Sequence, residues 1–147
     1  MRPRAWIYER LTTGPELVAY YNSLPEAQGG TTDLTTRVFQ GEAATSRIIT
    51  KPFIFYTMGF QTDLGFSETV RPSRHYMQIY VHDRPSNYRH INDILDIISD
   101  NSFWEPWPEN VYNMSWMENS RDLDDVTMGT IVRYARFTFL RGNSNAS

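Results

Sequence analysis

The chain contains no cysteine. That excludes disulfides, thiolate zinc sites and cysteine nucleophiles. Lysine is nearly missing too: Lys51 is the only one, and every other basic residue is arginine. No apolar run approaches the roughly 20 residues that cross a bilayer. Met1-Arg2-Pro3-Arg4 has no hydrophobic segment behind it, so it does not read as a secretory leader. Seventeen acidic against fourteen basic residues leave a formal net charge of -3. A grip on nucleic acid by bulk charge is therefore not indicated. Gly29-Gly30 lacks the following lysine and helix of a phosphate loop, and no Gly-x-Ser-x-Gly elbow occurs. Asp122, Asp124 and Asp125 lack the spacing and the distal Glu of a calcium loop. The expectation is a non-enzyme with no cofactor and no membrane association.

Aromatic residues make up 14% of the 147 positions, while all hydrophobics reach only 40%. That mix suits a modest core with large side chains left over for contact surfaces. The length fits a single domain, expected over residues 1–140, with a loose polar tail at 141–147.

The chain is organised around Arg74 to Ser99. Met77, Ile79 and Val81 alternate with Tyr76, Gln78, Tyr80 and His82, the period of a strand with one oily face. After Asp83-Arg84-Pro85-Ser86 the period becomes helical: Tyr88, Ile91, Ile94, Leu95 and Ile98 form one stripe. Ser86 is the expected N-cap. Asn92, Asp93, Asp96 and Asp100 are expected on the wet side.

Two short helices are expected upstream, Ala5 to Leu11 and Glu16 to Ser23. The first turns Trp6, Ile7, Arg10 and Leu11 inward, the second Leu17, Tyr20, Tyr21 and Leu24. A short strand is expected at Arg37 to Gln40. Phe53 to Met58 reads as a strand apolar on both faces, started by Pro52. Tyr112, Met114 and Trp116 alternate with Asn113, Ser115 and Met117. Asn119 to Gly129 reads as an acidic loop. In the last strand, Thr130 to Leu140, Ile131, Ala135, Phe137 and Phe139 share a face. Trp104 and Trp107, in a stretch that also carries Pro106 and Pro108, are read as lids on the core. The expected fold is α+β: a four-stranded, mostly antiparallel sheet, two or three helices on one face, and an extended hairpin loop.

That hairpin loop, Gly59 to Ser73, exceeds the roughly 2–5 residues that paired strands need. It carries Phe60, Leu64, Phe66 and Arg71, read here as partner-contact residues of a projecting arm. His82, Asp83 and His90 are the best metal candidates, but no further ligand is spaced to help them. Exchanging both histidines for glutamine is therefore expected to leave the fold intact. His75 reads as a strand-surface residue.

Tyr80-Val81-His82-Asp83-Arg84-Pro85-Ser86-Asn87-Tyr88-Arg89-His90-Ile91-Asn92-Asp93-Ile94 resembles the strand-to-helix junction of tail terminator (tail completion) proteins of long-tailed bacteriophages. Lys51-Pro52-Phe53-Ile54-Phe55-Tyr56 resembles that family's first central strand. Ser120 to Asp125 followed by Gly129 to Tyr134 resembles its last hairpin. The similarity spans roughly Arg37 to Leu140. It implies a virion protein made in the host cytoplasm and placed at the head–tail junction. There it forms a ring, commonly a hexamer, that caps the tail tube. The implied partners are other copies of the chain, the major tail tube protein and the neck or head-completion proteins, with DNA passing through the lumen. An acidic ring would let DNA slide rather than hold it. Three alternatives compete: a neck adaptor or head-closure protein, a ligand-binding ferredoxin-like module, and a small metal-dependent enzyme using His82, Asp83 and His90.

Overall fold

The computed structural model describes residues 3–41, 49–61, 73–126 and 128–142. Helices α1 (Pro3–Thr13) and α2 (Pro15–Ser23) come first. Strands β1 (Val38–Gln40), β2 (Phe53–Gln61) and β3 (Ser73–Asp83) follow, then α3 (Tyr88–Ile98). The chain closes with β4 (Val111–Asn119), β5 (Leu123–Asp125) and β6 (Thr130–Arg141). The class is α+β, as the sequence suggests, and the sheet is mostly antiparallel as expected, but among the described residues it has six strands rather than four and is mixed, with one parallel pairing. Its order is β1-β2-β3-β6-β4, with β5 also paired to β6. Strand β1 runs parallel to β2, and every other pairing is antiparallel.

The alternation in β3 sorts its side chains cleanly. Met77, Ile79 and Val81 are fully buried under α3, whose Ile91, Ile94, Leu95 and Ile98 are buried as the stripe requires. Ile54 and Tyr56 of β2 and Ala135, Phe137 and Phe139 of β6 extend the same core. Trp6, Ile7 and Leu11 of α1 and Leu17 and Tyr21 of α2 close it. All three helices therefore lie on one face of the sheet. Tyr20 is only partly buried, unlike its neighbour Tyr21, whose hydroxyl donates to the Pro52 carbonyl at 2.9 Å.

The other face of β2 explains its two-sided apolar sequence. Phe53 and Phe55 join Met128, with Phe39, Ile49 and Tyr80 packed around them, in a second small cluster. Trp104 is a core residue, fully buried, and its indole N–H donates to the Ile98 carbonyl at 2.7 Å. Trp107 is not a lid: it stands 37% exposed.

Three local expectations fail for physical reasons. Ser86 does not cap α3, because Pro85–Asn87 forms a 3-10 turn and Asn87 flanks the helix without a side-chain cap. Asp93 is not simply solvated; it accepts a hydrogen bond from the Tyr20 hydroxyl at 2.9 Å. The stretch 119–129 is not all loop, because β5 pairs Leu123, Asp124 and Asp125 with Val132, Ile131 and Thr130.

Gly29 and Gly30 serve packing. A Cβ on Gly29 would sit 2.0 Å from the Lys51 carbonyl oxygen, and one on Gly30 2.0 Å from that of Leu24. Close approach of backbone to backbone demands glycine there.

Candidate functional site

The candidate metal triad is divided by the sheet itself. Successive residues of a strand face opposite sides, so His82 and Asp83 cannot turn toward one ion. His82 lies in the second cluster, stacked on Phe53 at 4.6 Å and edge-on to Phe55 at 5.1 Å. Its Nδ1 meets the Thr130 hydroxyl at 2.9 Å. Burial lowers its pKa to about 4, with Lys51 adding to the fall and Asp125 opposing it. Asp83 points the other way, to α3, where its Oδ2 meets His90 Nδ1 at 2.8 Å. The Arg84 amide donates to its second oxygen at 2.6 Å. Burial raises the Asp83 pKa, and both hydrogen bonds oppose that rise. Among the described residues no three His, Asp or Glu side chains converge on one point.

Both histidines are buried and hydrogen-bonded. The expected tolerance of their double exchange is therefore corrected: each ring fills space and satisfies a buried polar partner. His75 is corrected as well. It is 6% exposed and stacks on Phe139 at 5.1 Å, and burial lowers its pKa. The acidic residues near the last hairpin also have local work. Asp122 accepts from the Tyr88 hydroxyl at 2.5 Å, and Asp125 accepts from the Met128 amide at 3.0 Å.

Of the expected contact residues, Phe60 lies in β2 with its backbone paired to His75. Leu64, Phe66 and Arg71 fall outside the described residues.

A different surface stands out. Among the described residues, every large exposed hydrophobic lies between Trp107 and Val126. Tyr112 is 51% exposed, Trp116 43% and Met117 46%. These belong to β4, which with β5 runs along the outer side of β6.

The expected alternation of β4 breaks at Asn113, whose φ is 53°. Asparagine tolerates this left-handed geometry better than most residues. The register against β6 shifts between Tyr112 and Ser115, and again between Trp116 and Glu118. Such bulges place an extra residue on one strand and re-aim the side chains beyond it. Val111 and Met114 are consequently buried, three residues apart, while Tyr112 and Trp116 stay exposed. The expected common face of Tyr112, Met114 and Trp116 is thus split.

Between β4 and β5, Ser120 holds the edge to β6. Its amide donates to the Tyr134 carbonyl at 2.8 Å, and its hydroxyl accepts from the Tyr134 amide at 2.9 Å. Arg133 donates to the Ser120 carbonyl at 2.9 Å. Arg136 pairs with Glu118 at 3.0 Å and lies over the Tyr134 ring at 5.6 Å. The exposed aromatics are therefore mounted on a strand anchored to β6.

Sequence reading missed these exposed residues because it expected regular alternation. The signal available was the spacing of Val111 and Met114 around an Asn, which suits a bulge better than a regular pleat.

No protein-family model matches the chain, and no curated protein matches it.

Proposed function

We propose that this protein is a self-assembling structural component of a phage tail, of the tail terminator kind. In this reading the protomers form a ring, commonly of six, at the head–tail junction of the virion. The ring caps the major tail tube protein, meets the neck proteins and lets DNA pass. The observation that carries the proposal is that, among the described residues, the large exposed hydrophobics fall on β4 and β5 (Tyr112, Trp116, Met117 and Leu123) or just outside them (Trp107 and Val126). Apolar side chains grouped in this way on a surface mark a protein contact. A strand edge with unsatisfied N–H and C=O groups adds a template for pairing. Aromatics are the residue class enriched at interface cores.

The 59–73 arm, with Phe60, Leu64, Phe66 and Arg71, is retained in this proposal as a second contact to the tube or to the adjacent subunit. The metal-enzyme alternative loses support because His82 faces away from Asp83 and His90. No helix among the described residues is long and apolar enough to cross a membrane.

The test is direct. The purified chain is mixed with tail tube protein polymerising in vitro, and tube lengths are measured by electron microscopy. Addition is expected to yield short tubes ending in a ring. Tubes of unchanged length with no ring at either end would overturn the reading.

A further inference from the structure

The sheet is open, so it has two edges, and they differ in chemistry. On one side β4 and β5 present Tyr112, Trp116 and Met117. The charges there are mixed and partly paired: Glu118 meets Arg136 at 3.0 Å and Asp122 lies 3.8 Å from Arg133. On the other side β1 is only three residues long and pairs with Ile54, Phe55 and Tyr56 alone. The Ile54 amide donates to the Arg37 carbonyl, and the Tyr56 carbonyl accepts from Gly41. By alternation along the strand, the backbone groups of Met58 and Phe60 point the same way. Among the described residues, no strand pairs with them on that side. Where β1 stops, Arg4, Gln40, Gly41, Tyr56, Thr57 and Met58 line a groove of about 240 Å³. That is smaller than the roughly 300–1,000 Å³ of small-molecule sites, and it suits a single side chain. Arg4 is the charged residue of the groove lining, while Arg37 is partly buried and bonded to Thr36 and to the Gly29 carbonyl.

We infer that the β4–β5 edge of one copy docks on the β1–β2 edge of the next, with Trp116 seated in the groove below Arg4. This rests on the self-assembling reading above and specifies its contact. The occupant is a second copy because the two edges of one chain complement each other. One offers exposed aromatic side chains on an edge strand; the other offers a groove the size of one side chain beside Arg4 and, at Met58 and Phe60, strand backbone that no described strand pairs. The arginine of the groove can lie over the indole face, a favourable cation–π arrangement. Pairing of unlike edges is head-to-tail, and head-to-tail contacts close into rings when the rotation allows. The exposed edges, an aggregation hazard in an isolated chain, are then consumed by assembly.

The experiment uses two variants of the full chain, each spoiling one edge. Trp116→Arg alters an exposed side chain on β4. Arg4→Glu with Gln40→Glu alters two exposed side chains beside the groove. Circular dichroism is expected to show both folded, and light scattering gives their masses. Wild type is expected to form a closed oligomer. Each variant alone is expected to be monomeric, with a loss of at least roughly thirty-fold in association, the usual weight of a central aromatic anchor. An equimolar mixture of the two variants is expected to give a heterodimer and nothing larger, since one intact edge of each kind remains. A variant that assembles as wild type does, a monomeric wild type, or a mixture that stays monomeric would overturn the inference.

A second measurement uses the absence of native cysteine. Gln40→Cys with Met117→Cys, which keeps Trp116, is expected to oxidise into a ladder of covalent oligomers, while either single variant is not. Crosslinked dimers from Met117→Cys alone would point to like-with-like pairing and sink the head-to-tail contact. Assembly by these edges without tube capping would instead refute the tail-terminator reading and leave this contact standing.

Discussion

Strands β3 and β4 both read as alternating sequences, yet they do opposite things. In β3 every second residue from Met77 to Val81 disappears beneath α3. In β4 the pattern breaks, and its largest side chains remain in water. The difference lies in what covers each strand. Strand β3 sits between β2 and β6 and beneath a helix whose stripe matches its oily face. Strand β4 is at the edge, with one neighbour and a bulged register. A central strand has its pleat enforced from both sides. An edge strand can buckle, and here the buckling turns aromatic side chains outward.

The comparison breaks most severely at α3. Ile94→Ala is expected to cost about 2–5 kcal/mol through the cavity it leaves, read by urea unfolding. A loss under about 1 kcal/mol would mean that the helix stripe does not seal β3.

Acid should separate the two faces of β3. The His82 pKa is held near 4 by burial, below the ordinary value of about 6.5. The unfolded chain therefore takes the proton first, and stability is lost as pH falls from about 6.5 toward 4. At 1.36 kcal/mol per unit the loss approaches about 3 kcal/mol. His75, also lowered by burial, adds in the same direction. Asp83, raised by burial, acts in the opposite sense. Unfolding free energies measured across this range, for wild type and His82→Gln, should show a shallower decline in the variant. Equal slopes would remove His82 from the account.

Smaller effects are expected at the edge. Ser120→Ala removes the acceptor for the Tyr134 amide and should cost about 1 kcal/mol, with amide exchange at Tyr134 faster than in wild type. Trp116→Ala should change stability by less than about 0.5 kcal/mol, as surface substitutions usually do, while lowering the assembled fraction in light scattering. A large stability loss with assembly intact would make Trp116 a core residue and erase the contrast.

What could be read from the residues follows the same division. The β3–α3 unit was legible because two clean periods meet at one proline turn. The buried tryptophan at position 104 was legible as an inward residue. The parallel pairing of β1 was not, since three residues carry no sign of direction. The Asp83–His90 bond was invisible because it joins a strand end to a helix across a turn, seven positions apart. The separation of His82 from Asp83 was implicit in the strand period and needed only to be applied. The exposed aromatics of β4 were hidden by the bulge at Asn113, where one residue in left-handed geometry changes which neighbours face outward.

Helix α1 carries a further consequence, one of timing. Trp6 packs edge-on against Trp104 and Phe139, each at 5.9 Å. Arg10 reaches the Phe103 carbonyl with Nε at 2.8 Å. None of these partners exists when α1 leaves the ribosome. At roughly 5–20 residues per second, the stretch from Trp6 to Phe139 takes on the order of ten seconds to make. For that interval α1 has no sheet to cover. The first helix synthesised therefore completes its packing only after β6, the last strand, has been made.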